Sequence, residues 1–207
     1  MQDTPKTHSS SLERLRKPVS FLIAAVLLVL LVSTQPANFG SVAYEVMEQV
    51  GMLLVFVAVL GRIWCTLYIA GRKNRQLCRL GPYELCRNPL YLFSFIGLVG
   101  ICLAAANILL AVLSAAAYLL YYQGVIRGEE RRLAAIFEAD FDRYVASTPR
   151  FWPRLKIPRN GDILQVDSRI FTRSLGEVIW FLLAINLVQI IGYLKLNHVF
   201  TAFTLPL

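Results

Sequence analysis

Three short clusters and one isolated arginine hold the side chains able to do chemistry. Between Gly81 and Tyr91 the chain reads Gly-Pro-Tyr-Glu-Leu-Cys-Arg-Asn-Pro-Leu-Tyr. Pro82 and Pro89 fix φ and break helix, and Gly81 permits a tight turn. Pro89 suits the first turn of a helix. Tyr83, Arg87, Asn88 and Tyr91 are then held at a helix N-terminus, whose free N–H groups and positive dipole suit an anionic ligand group. An ordinary basic loop capping a membrane helix has the same composition. The second cluster is Glu129-Glu130. At about 100° per residue, Glu130 shares a face with Leu133, Phe137, Phe141 and Tyr144, and Glu129 lies at its edge. A carboxylate on an apolar stripe is costly unless a cation meets it. Either Arg87 or a cationic ligand would serve. An acidic start offsetting the helix dipole accounts for Glu129 but poorly for Glu130. The third cluster is Thr148-Pro149-Arg150-Phe151-Trp152-Pro153, where two prolines aim Arg150 and the aromatic pair suits a lipid interface. Arg62, alone in an apolar stretch, either snorkels to the surface or lines a polar cavity.

Elements in a membrane must position these groups. Of 207 residues, 57% are hydrophobic and 16% charged, and mean hydropathy is +0.56. A soluble domain carries about 25% charge. The net charge of +8 sits beside apolar runs, which fits anionic headgroups and membrane orientation and excludes nucleic acid as a partner. Cys65, Cys78, Cys86 and Cys102 form no C-x-x-C pair and read as small hydrophobes; His8 and His198 lie near the termini, so no metal site is expected.

Apolar segments fall at 19–34, 46–69, 89–106, 108–124 and 174–196. The predicted fold class is all-α: a polytopic membrane helical bundle of about five transmembrane helices plus a cytoplasmic amphipathic helix at 128–144. Asn107 marks a tight helical hairpin whose arms are short for spanning, and 147–168 reads as a loop. The first run has signal-peptide-like charge before it but no small-x-small cleavage site after it. Lys and Arg number four before it, none in 35–45, five in 70–88, none at Asn107 and ten in 125–173. Such alternation predicts a multi-pass protein of the cytoplasmic (inner) membrane with a cytoplasmic N-terminus. The organisation expected is a polar tail at 1–18, a core at 19–173 and an additional C-terminal helix and tail at 174–207.

The order Arg87-Asn88-Pro89-x-Tyr91, Glu129-Glu130, Phe137-x-x-x-Phe141-x-x-Tyr144, Pro149-Arg150-Phe151-x-Pro153 resembles the isoprenylcysteine carboxyl methyltransferases and related phospholipid methyltransferases. Gly61-Arg62-Ile63-Trp64 and Gly81-Pro82-Tyr83 are also similar to bacterial members. The resemblance covers about residues 50 to 155 and implies an integral membrane enzyme using S-adenosylmethionine. This sequence departs from the family with Asn88 where His is usual and Phe93 where Gly is frequent. Asn still donates and accepts hydrogen bonds but cannot titrate.

Under that resemblance, Glu129 or Glu130 suits the cofactor ammonium. Arg87, with Asn88 and Pro89 at the helix N-terminus, suits its carboxylate, and Tyr83 and Tyr91 offer aromatic faces for stacking or for the sulfonium. Glu130 and Arg150 are the candidate catalytic residues, Arg150 orienting an anionic acceptor. Arg62, Tyr144, Arg150 and Trp152 are expected on the side of a lipophilic or lipidated acceptor entering from the membrane lipids. An ionised carboxylate needs no general base, which favours carboxyl over amine methylation. The rivals are a phospholipid amine methyltransferase, an NADPH-dependent membrane reductase and a non-catalytic scaffold. Asn186, Gln189 and Tyr193 share one face of the last helix and serve either helix contacts or a substrate tunnel.

Overall fold

The computed structural model describes residues 25–26, 29–36, 40–72, 75–159, 164–197 and 203–205. The polar tail expected at 1–18 lies outside them. Residues 25–26 and 29–33 are helical, so only part of the first apolar run is described. It leads into β1 (Thr34–Pro36), which pairs in parallel with β2 (Phe203–Leu205), Thr34 opposite Phe203.

Helix α1 (Val42–Ile69) starts at Ser41, whose side chain accepts from the Tyr44 amide at 3.2 Å. A one-turn helix α2 (Pro82–Leu85) interrupts the basic loop, and α3 (Pro89–Ala104) follows with Pro89 in its first turn. The hairpin turn falls at Asn107, which caps α4 by accepting from the Leu110 amide at 2.8 Å. Helix α4 (Ile108–Ser147) corrects one expectation. The apolar arm and the amphipathic helix are joined in one 40-residue element, because no proline lies between Tyr121 and Glu130, and Gly124 and Gly128 weaken a helix without breaking it. Its only departure from helical backbone is at Glu138, with φ of 40°. Helix α5 (Ser168–Leu196) begins at Asp167, which accepts from the Arg169 and Ile170 amides.

Among the described residues three helices, α1, α4 and α5, are long and apolar enough to cross a bilayer, fewer than the five expected. The 16-residue α3 rises only about 24 Å. It is the centre of the bundle, packed by α1, α4 and α5. Small residues permit the approach: a Cβ on Gly51 would lie 2.3 Å from the Ala104 amide nitrogen, and one on Gly100 would lie 2.8 Å from the Gly51 carbonyl oxygen. Phe93 occupies the notch over Gly61, where a Cβ would come within 2.1 Å of its ring. Phe181 of α5 does the same over Gly97. The aromatic ring at position 93 is thus accommodated by a glycine on the facing helix.

Arg62 joins three helices. It donates to Ser94 Oγ on α3 and, at 3.1 Å, to Glu177 on α5, and stacks over Phe181 with 5.5 Å to the ring centroid. Asn186 and Tyr193 are exposed on the outer face of α5, and Gln189 contacts the Met52 sulfur on α1.

Candidate active site

The site is assembled at the basic end of the bundle, where the loop after α1, the turn into α3 and the lower half of α4 meet. Gly81 adopts φ of 59°, and a Cβ there would strike the Tyr68 ring at 2.4 Å. This turn seats Tyr83 in a core with Cys65 and Tyr68. Cys86 is extended, and Arg87 and Asn88 then enter α3.

Glu130 is the hub. Its carboxylate accepts from Arg87 Nε at 2.9 Å, Asn88 Nδ2 at 3.2 Å and Arg150 Nε at 2.8 Å. Its side chain and that of Arg87 are 9% and 8% exposed, whereas that of Arg150 is 50% exposed. Arg87 also donates Nη1 to the carbonyls of Thr148 (2.5 Å) and Val145 (3.3 Å), capping the C-terminus of α4 with a cation. Asn88 gives its second amide bond to the Arg150 carbonyl at 3.0 Å. The amide at this position therefore works as a double donor tying α3, α4 and the 149–150 backbone together.

Beside this hub lies a cavity lined by Tyr83, Arg87, Asn88, Tyr91, Glu129 and Tyr144, completed by Ile69, Gln76, Leu77, Cys78, Leu90 and Leu133. Glu129 accepts from the Tyr91 hydroxyl at 2.9 Å. Tyr144 donates to the Tyr83 carbonyl at 2.6 Å. The Tyr83 hydroxyl is buried with no hydrogen-bond partner among the described residues. Burial pushes its pKa well above the ordinary value, so it stays a donor. Burial also pushes the Cys86 thiol up to about 11, and raises that of cavity-lining Cys78; both stay neutral.

The structure brings together six of the residues singled out from sequence. Glu130 and Arg150 stand behind the wall and Pro89 starts the helix beside it, and none of the three lines the cavity. Arg62 lies apart, in the α1–α3–α5 contact. Trp152 is exposed and meets Phe95 edge-on at 6.2 Å. From there an aromatic ladder runs inward: Phe95 to Tyr118 at 5.6 Å, Tyr118 stacked on Tyr122 at 4.0 Å, and Tyr122 to Tyr91 at 5.3 Å. It links the exposed Trp152 to the cavity. Gln76 and Cys78 escaped sequence reading because an irregular loop has no period to mark which residues face inward.

A second carboxylate, Glu84, is held by the Arg159 backbone N–H at 2.6 Å, by Lys156 Nζ at 3.0 Å and by Arg159 Nε at 3.0 Å. These partners, the Arg159 amide foremost, lower its pKa from the ordinary 4.5 to about 2. A depressed folded pKa gives stability that is complete above about 4.5 and is lost as pH falls toward about 2. Acidification across that window should loosen 149–159 from the 81–88 turn, and Glu84→Gln should flatten the dependence. Hydrogen exchange of the Arg159 amide against pH measures it; the same acid response in Glu84→Gln would exclude this carboxylate as the cause.

Residues 45–140 match the phospholipid methyltransferase family. The chain is also 36% identical over 194 residues, 92% of its own length and 91% of the relative's, to the nickel-cobalt-cadmium resistance protein NccN of Alcaligenes xylosoxydans xylosoxydans. It belongs to the phospholipid methyltransferase family. A second relative in this group, the cobalt-zinc-cadmium resistance protein CzcN of Cupriavidus metallidurans, is 42% identical over 132 residues, 64% of this chain and 61% of that protein. No solved structure matches the chain. The family match spans most of α1, the Pro82–Asn88 turn, α3 and α4 to just beyond Glu138, so it contains the hub carboxylate and every cavity-lining residue but Tyr144, and neither Arg150 nor α5. Among the described residues no three His, Cys, Asp or Glu side chains converge to hold a metal ion.

Proposed function

We propose that this member of the phospholipid methyltransferase family is a membrane methyltransferase that uses S-adenosylmethionine and acts on a lipophilic acceptor. One observation carries the reading: a single cavity joins a carboxylate (Glu129), a guanidinium (Arg87), an amide (Asn88) and a buried hydroxyl (Tyr83) that has no partner among the described residues. That donor set fits an amino-acid-bearing cofactor. Glu129, oriented by Tyr91, suits its ammonium. Arg87 has spent Nε and Nη1 on the protein, which leaves Nη2, with the Tyr83 hydroxyl, for its carboxylate. When bound, the cofactor supplies an electrophilic methyl on a sulfonium, transferred by in-line displacement.

The chain's own work is alignment and exclusion of water. Glu130 holds Arg87 and Arg150 in place. The acceptor's apolar part approaches from the bilayer past the exposed Trp152, and half-exposed Arg150 orients an anionic end. A carboxylate acceptor needs no proton removed and is the reading we adopt; the family match favours a lipid amine as the second. We place the protein in the cytoplasmic membrane with its basic loops inside. The metal resistance for which the relatives are named would follow from a methylated envelope component.

Calorimetry in detergent tests the reading. S-adenosylhomocysteine should bind with a Kd in the micromolar to sub-millimolar range, about −8 to −5 kcal/mol, and NADPH should not. No binding by a folded protein would leave the scaffold, and binding of NADPH alone would leave the reductase. Methyl transfer to a prenylated carboxylate against transfer to phosphatidylethanolamine separates the two acceptors. Arg150→Ala should lower turnover of the carboxylate acceptor roughly tenfold or more and leave cofactor affinity within a few-fold.

A further inference from the structure

Residues 149–159 form an irregular strap that runs antiparallel to the 81–88 turn. The Arg87 amide donates to the Pro149 carbonyl (2.8 Å), the Arg154 amide to Leu85 (3.0 Å) and the Gly81 amide to Arg159 (3.0 Å). Both ends are clamped by charge, Arg150 on Glu130 and Lys156 with Arg159 on Glu84. This well-tied segment carries three large exposed apolar side chains among its basic ones. Leu155 is 101% exposed, Ile157 94% and Trp152 63%. Arg154 and Lys156 flank Leu155, and the Lys156 amide donates to the Arg154 carbonyl at 3.0 Å, a three-residue turn centred on Leu155.

Depth decides what covers this face. Trp152 touches Phe95, which lies six residues inside α3, about 9 Å from its start. That end of the strap is therefore level with the first turns of a bilayer-embedded helix, at the boundary between headgroups and acyl chains. Tryptophan and long aliphatic side chains are stable there, and neighbouring arginine and lysine meet lipid phosphates.

We propose that the strap is an interfacial anchor that docks on anionic phospholipid of the adjoining leaflet. Trp152, Leu155 and Ile157 enter the acyl boundary while Arg154, Lys156 and Arg159 face the phosphates. The strap backbone also receives the Arg87 amide and the Asn88 side chain, so lipid engagement steadies one wall of the cavity. The docking itself does not depend on the cofactor or the reaction.

The test uses the full chain in nanodiscs of phosphatidylcholine, with and without phosphatidylglycerol. Trypsin should cut at Arg154 and Lys156 in the neutral discs and roughly tenfold or more slowly in the anionic ones. Leu155→Asp with Ile157→Asp, at almost fully exposed positions, should abolish the protection. A Leu155→Trp chain in which Trp64, Trp152 and Trp180 are replaced by Phe should be quenched by acyl-brominated lipid. Equal cleavage in both discs, protection that survives the double Asp change, or an unquenched Leu155→Trp emission would each overturn the proposal.

Discussion

Glu130→Gln should lower the melting temperature sharply, whereas Glu129→Gln should leave melting intact and remove the ligand. The two carboxylates are neighbours in sequence but hold different partners. Glu130 faces two guanidiniums and an amide and is almost fully buried. Breaking a buried pair costs about 3–5 kcal/mol, because the remaining charge keeps its desolvation penalty. The Arg87 side of the hub meets that condition. The Arg150 side is half exposed and contributes less than about 1 kcal/mol. A loss near 3 kcal/mol is therefore expected for Glu130→Gln, with weaker ligand binding as a consequence of the displaced Arg87. Glu129 lines the cavity, and its loss should weaken S-adenosylhomocysteine binding roughly 10- to 100-fold, the worth of one hydrogen bond to a charged group. Thermal melts and calorimetry on both variants give the answer. An unaltered melt for Glu130→Gln, with affinity lost, would make Glu130 the ligand group instead.

Gly51→Val should be the most damaging change remote from the site. The Cβ would meet the Ala104 amide nitrogen at 2.3 Å and the Gly100 carbonyl oxygen at 2.6 Å. Both are backbone atoms, so no rotamer change relieves the clash and α1 must move off α3. Overpacking costs about 1–3 kcal/mol where side chains yield, and this position should reach the upper end or beyond. Because α3 carries Asn88 and Tyr91 into the cavity, ligand affinity should fall as well. Gly176→Ala is the matched control: a Cβ there meets nothing within 4 Å, and the change should be neutral or mildly stabilising. A Gly51→Val protein that melts with the control would show that the two helices do not pack this closely.

Some of the site was legible before the fold was known, and the reason is local. Pro89 cannot sit inside a helix but suits its first turn, so the start of α3 was readable from one residue. Asn107 between two apolar runs was readable as a turn, and only the structure shows that it also caps α4. The position of Glu130 on the Leu133–Tyr144 stripe predicted a buried carboxylate in need of a cation, and Arg87 supplies it. The same reasoning missed that α4 runs on past residue 128, because a change from uniformly apolar to amphipathic pattern looks like a boundary, whereas the helical backbone is interrupted only later, at Glu138. It offered the Tyr83 face to the cofactor; that ring lies in the core with Tyr68 at the cavity wall, and its hydroxyl has no hydrogen-bond partner among the described residues.

Composition and spacing by themselves determined that the chain forms long apolar helices with basic connections, and which short motifs carry the polar chemistry. These properties depend on a residue and its neighbours within a turn or two. Only the tertiary structure decided that Glu129 lines the cavity while Glu130 is enclosed by arginines. Two adjacent helical residues differ by about 100°, and which of them meets a given neighbour depends on how the helices are rotated against one another. The same holds for Arg62, whose tie to Glu177 spans 115 residues, and for the strap, whose place against the 81–88 turn is set by hydrogen bonds between segments more than 60 residues apart. Such pairings leave no periodic trace in either segment alone.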